Sequence, residues 1–148
     1  MAKAPKKQEL DGSATMRHFA HRQIASRLAG LSERAGNAAA ASDAESIHDL
    51  RVAIRRLSQA LSLFSGLVRK KELKKIRKRL KDVMSLTSQV RNRDIALEHL
   101  ADADAATMKE RLQTERSNHA RQVRETVAKW HQRDFAKRWT ASLELDPK

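Results

Sequence analysis

The chain has 148 residues, no cysteine, and 31 Lys plus Arg against 18 acidic residues, for a formal net charge of +13. That length suits one domain whose core needs no metal or disulfide, and the lack of thiols excludes disulfides and thiolate metal sites. The charge excludes an ordinary neutral-partner surface and calls for a polyanionic partner, without saying which one.

The start, MAKAPKKQELDGS, is basic but has no apolar signal-peptide run, and no later stretch reaches the length of a membrane span. A soluble, cytoplasmic protein with no membrane partner is expected, with a flexible basic tail over 1–12 and a single helical domain over 13–145. Pro5 and Pro147 lie at the extremes, Gly is scarce, and Ala, Leu, Arg, Lys and Glu dominate between them, so nothing inside must break a helix. The expected class is all-α, an antiparallel four-helix bundle with long helices and short connections.

The first helix is predicted from about Ser13 to Gly36, with Met16, Ala20, Ile24, Leu28, Leu31 and Ala35 as its apolar seam and Gly36-Asn37 as its stop. The second spans Ser42 to about Val68, and Ser42 followed by Glu45 has the form of a capping box. At about 100° per residue, Ile47, Leu50, Ile54, Leu57, Leu61 and Phe64 fall on one arc, which makes a core face. His48, Arg51, Arg55, Ser58 and Ser62 form a second arc beside it, on the boundary where a cleft between helices would lie. Arg56 points further out and, taken alone, reads as a solvated charge.

The third helix, Lys71 to about Leu100, carries a narrow apolar line of Leu73, Ile76, Leu80, Val83 and Val90. Lys74, Arg77 and Lys81 each follow a seam residue by one, the offset that His48, Arg51 and Arg55 have on the preceding helix, and Arg91 returns to that line further along. Two neighbouring helices therefore each carry a boundary stripe of positive charge, whereas Lys75, Lys78 and Arg79 read as a solvated face. Like charges at these spacings repel by roughly a few tenths of a kcal/mol per pair, a penalty that a bound polyanion removes. The paired donors of Arg suit phosphate oxygens, and Lys adds a mobile point charge.

The fourth helix, about Asp104 to Leu143, is less regular. Met108, Leu112, His119, Val123, Val127 and Trp130 make a partial seam, and its many cations assign to no single face. Trp130, Phe135 and Trp139 read as core or subunit-contact residues rather than ligand stackers.

HDLRVAIRRL at His48 to Leu57, followed by an apolar helix ending LSLF, resembles the signature of the CHAD domain, the conserved histidine α-helical domain. Downstream, RKRLKDVMSLTSQVRNRDIALEHL resembles that family's third-helix pattern, with an Arg-Asp element at Arg91-Asn92-Arg93-Asp94. The resemblance implies a non-catalytic CHAD-like four-helix bundle over 13–145 that binds inorganic polyphosphate in a basic groove or pore, without a cofactor. Residue by residue it implies contacts from His48, Arg51, Arg55 and Arg56, then from Lys74, Arg77, Lys81 and Arg91; Arg17 and His21 of the first helix complete the expected set. Asp94 is expected to orient a neighbouring Arg. Members of the family typically have two facing four-helix repeats, whereas a single HxLRVxxRRL element occurs here, so a homodimer is expected to supply the missing half.

Other readings are weaker. A nonspecific nucleic-acid binder is the main alternative, because basic helical surfaces bind DNA or RNA at low salt, but an aromatic content of 3% with no Tyr gives no base-stacking platform. His-x-Leu-basic on a helix face also resembles histidine phosphotransfer domains, in which a Gly usually stands where this chain has Val52. Glu45-x-x-His48 has the spacing used in di-iron bundles but no second pair, and His18 with His21 lacks a third metal ligand. Neither a Gly-rich phosphate loop nor a nucleophile–base arrangement occurs, so no metal and no catalytic residue is expected.

Overall fold

The structure, a computed structural model, describes residues 12–100 and 106–145, which form helices and turns only. Helix α1 spans Gly12–Ala40, α2 Ala44–Leu63, α3 Lys70–His99 and α4 Ala106–Gln132. A 3-10 turn, Ser65–Leu67, precedes α3, and a short α5, Phe135–Ser142, follows α4. Helix α1 packs on α2 and α4, and α3 packs on the same two, which closes the all-α bundle that the sequence predicts. The tail expected over 1–12 lies outside the described residues except for Gly12, already the first residue of α1.

The core is the set of apolar positions recurring at three and four. Ile24, Leu28 and Leu31 meet Ile47, Leu50, Ile54, Leu57 and Leu61, and these meet Leu80, Val83, Val90, Val123 and Val127, all buried. Seam positions at the bundle ends are less enclosed. Met16 and Met108 are exposed, and Phe64 is half-buried with its ring set edge-on to Phe19 at 6.0 Å.

Four local features depart from the sequence reading. Helix α1 runs through Gly36 to Ala40, because Ala35 and Ala38 continue the buried seam and Ala is the strongest helix former. Gly36 instead marks a close approach of α4: a Cβ there would stand 3.0 Å from His131 Nε2, which lies 2.7 Å from the Ser32 carbonyl. The cap of α2 is Asp43, whose Oδ1 accepts from the Ser46 backbone N–H at 3.1 Å, while Ser42 is buried and bonded to α4. Helix α2 ends at Leu63, and extended backbone at Val68 and Arg69 leads into α3.

The fourth departure shapes one end of the bundle. The helix expected to continue to Leu143 breaks at Asp134, which adopts left-handed φ 51, ψ 58, a conformation that Asp tolerates better than most residues. The break turns α5 back, so that Phe135 and Trp139 are buried beside half-buried Trp130 with ring centroids 4.9–5.3 Å apart.

Candidate functional site

Two contacts fix the register of α2 against α3. Arg77 Nη2 donates to Ser62 Oγ at 3.1 Å, and Arg51 Nη1 donates to Thr87 Oγ1 at 2.8 Å and to Ser88 Oγ at 2.9 Å. The helices therefore run antiparallel, with Lys81 level with Ser58 and Arg91 level with His48. Arg55, Lys74, Arg77, Lys81 and Arg91 are all exposed. From Lys74 to Arg91 the stripe runs about 25 Å along α3, at 1.5 Å per residue.

Arg51 is held more tightly than its neighbours. The Thr87 and Ser88 hydroxyls each donate to the Met84 carbonyl at 2.9 Å, which turns their oxygens to accept from Arg51 Nη1; the same nitrogen lies 3.2 Å from that carbonyl. The Arg51 pKa is lowered, first by burial and then by the charges of Arg55 and Arg91, so these three guanidinium groups share one field. Arg51 Nε and Nη2 make no hydrogen bond among the described residues.

His48 lies beside Arg56 rather than on the α3 side with Arg51. Both line a concavity of about 380 Å³ on the α1 side of α2, together with Arg27, Arg34 and Asp49. The arc read as one stripe thus divides: Arg51 reaches α3, while His48 borders α1 beside Arg56, a residue outside that arc. Residues three apart on a helix differ by about 60°, which suffices to separate two grooves when neighbours flank the helix on both sides. Arg56 is exposed, as its position predicts, but it faces a groove that also holds Arg27. Arg27 and Arg34, missed by the sequence reading, stand seven apart on one face of α1, a spacing that gave their only signal.

On α1, Arg17 is exposed at the bundle end where Phe19 meets Phe64. His21 is 2% exposed, with Nε2 2.9 Å from the Leu67 carbonyl, so it ties α1 to the 3-10 turn. That burial removes His21 from the solvent-facing groups.

The Arg-Asp element joins α3 to α4. Asp94 Oδ1 accepts from Arg116 Nε at 2.7 Å, and Arg116 Nη2 continues to the Ser42 carbonyl at 2.9 Å. Asp94 therefore orients an Arg, one supplied by α4. Arg93 pairs with Glu115 at 3.2 Å and with Gln89 Oε1 at 2.7 Å, and Arg124 donates to Ser42 Oγ at 2.7 Å.

Among the described residues no three His, Cys, Asp or Glu side chains converge on a point that could hold a metal, and no helix is long and apolar enough to cross a membrane. Fold and surface together define a basic, all-α four-helix bundle. Compared with known families, residues 22–148 match the CHAD domain, and the chain belongs to that family, with the match covering one repeat. No curated protein and no solved structure matches it.

Proposed function

We propose that the protein binds inorganic polyphosphate along the α2–α3 face. The observation that carries this reading is the alignment of cations on two registered helices. Arg51, Arg55, Lys74, Arg77, Lys81 and Arg91 flank one contact between antiparallel helices, and none of them forms an ion pair among the described residues. A linear polyanion laid along the stripe supplies the missing counter-charge and releases condensed counterions, so affinity falls as salt rises. Arg51, held by Thr87 and Ser88, enters the complex with little ordering cost, and its Nε and Nη2 are free to meet phosphate oxygens. His48 and Arg56, in the α1–α2 groove, and Arg17, on α1, are exposed and available to an anion that extends beyond the α2–α3 face; buried His21 is not.

The partner expected to complete the groove is a second copy of the chain. Phe19 and Leu63, 52% and 74% exposed, offer apolar surface beside the α1–α2 edge for such a contact. Light scattering reads the outcome, and a monomer with undiminished affinity counts against it. Association with polyphosphate granules in the cytoplasm is the expected cellular setting.

The test of binding is a titration with long-chain polyphosphate at fixed salt, comparing the wild type with Arg55→Ala/Arg91→Ala and with a charge-matched Lys75→Ala/Lys78→Ala control. A large loss in the first and a small one in the second supports the stripe, while equal losses indicate diffuse attraction. Competition with single-stranded and duplex DNA separates this reading from nucleic-acid binding, since DNA is expected to displace the polyphosphate poorly.

A further inference from the structure

A second cationic concavity lies on the other flank of α3. Arg79 leaves that helix about 160° from Arg77 and so faces away from α2. There it joins Lys129 and Arg133 of the α4 end and Arg138 of α5 around a space of about 440 Å³ walled by Trp130 and Trp139. The left-handed turn at Asp134 creates the arrangement, because a helix continued straight through it would carry Arg138 away from Lys129 and Arg133. No acidic residue lines the space, and none of the four cations makes an ion pair or side-chain hydrogen bond among the described residues.

We propose that this concavity binds a nucleoside polyphosphate. Four cations without counter-charge select a multivalent anion. The aromatic wall selects more than an anion, since a bare phosphate placed against indole gives up hydration for nothing in return. A purine instead stacks on half-buried Trp130, whose ring is held by edge and tilted contacts with buried Phe135 and Trp139. The volume falls in the range of small-molecule sites. None of these residues belongs to the α2–α3 stripe, so the two readings stand or fall separately.

The chain's two Trp are Trp130 and Trp139, so intrinsic fluorescence reports on this wall alone. The full chain is titrated with ATP and with inorganic triphosphate, excited at the red edge of indole absorption. Saturable quenching by ATP is expected, with an affinity roughly tenfold weaker in Arg79→Ala/Arg138→Ala. It should be unchanged in Arg55→Ala/Arg91→Ala. Both pairs replace exposed side chains, and circular dichroism confirms that the bundle is intact. Any of three results overturns the proposal: no saturable quenching by ATP, quenching that survives undiminished in Arg79→Ala/Arg138→Ala or is lost in Arg55→Ala/Arg91→Ala, or triphosphate competing with ATP at equal affinity.

Discussion

Arg51 Nη1 stands 2.8 Å from Thr87 Oγ1, and that pair is the polar rivet between α2 and α3. Thr87 is fully buried and spends its own proton on Met84, so its oxygen has one good donor left to meet, and Arg51 supplies it. The residue that best fits an anion contact by position is thus also a structural one, and its replacement mixes two effects.

Arg51→Ala is expected to destabilise the bundle by about 2 kcal/mol, the scale for hydrogen bonds from a charged donor to partly buried acceptors. Arg55→Ala removes an exposed group that makes no hydrogen bond among the described residues and relieves repulsion on Arg51, so its melting temperature should hold or rise slightly. Thermal melts of both variants without polyphosphate check this. Equal losses in the two would show that the rivet contributes nothing, and binding data on Arg51→Ala could then be read at face value.

Asp94 sets Arg116 across the α3–α4 contact, with side chains only 15% and 21% exposed. Asp94→Ala leaves Arg116 facing Ser42 without its counter-charge and is expected to cost about 2 kcal/mol. Because the pair lies away from the α2–α3 stripe, polyphosphate affinity should change little. A binding loss as large as that of Arg55→Ala/Arg91→Ala, in protein that still melts cooperatively, would place Asp94 in the site itself.

The seams were legible because burial repeats with the helical period: Ile47, Leu50, Ile54 and Leu57 announce their face whatever packs against it. The matching offsets of Arg55 and Arg91 were legible for the same reason. What the period cannot carry is the identity of the neighbour. The divergence of His48 and Arg56 from Arg51 depends on α2 being flanked by both α1 and α3, and the convergence of Arg79 with Arg138 depends on one left-handed residue. Gly36 misled as a stop because its lack of a side chain serves His131, and Ser42 misled as a cap because Arg116 and Arg124 claim both of its oxygens.

The Asp43 cap gives α2 a pH signature. Its carboxyl is held below the ordinary 3.8, first by the Ser46 hydroxyl and then by the Ser46 backbone N–H. A folded-state pKa below the unfolded one adds stability that is fully present above about pH 4 and is lost as the pH falls through the lower, folded value. Asp43→Asn keeps a capping oxygen but does not titrate. The melting-temperature advantage of wild type over Asp43→Asn should be constant between pH 7 and pH 5 and shrink at pH 3, the other carboxylates being common to both proteins. An advantage unchanged at pH 3 would mean that the charge of Asp43 is irrelevant to the cap.

Two glycines of α1 should respond in opposite ways to the same substitution. Inside a helix, Gly→Ala removes unfolded-chain freedom and ordinarily stabilises by about 0.5–1 kcal/mol. At Gly30 a new Cβ meets nothing within 4 Å, so Gly30→Ala should show that gain as a higher melting temperature. At Gly36 the Cβ would stand 3.0 Å from His131 Nε2 and 3.3 Å from Cε1, and the ring can yield only by giving up its 2.7 Å contact with the Ser32 carbonyl. Gly36→Ala should therefore lower the melting temperature, and the double variant Gly36→Ala/His131→Ala should recover much of the gain expected of an unobstructed alanine. A rise in Gly36→Ala alone, equal to that in Gly30→Ala, would show that α1 and α4 are not held at this distance by the His131 contact.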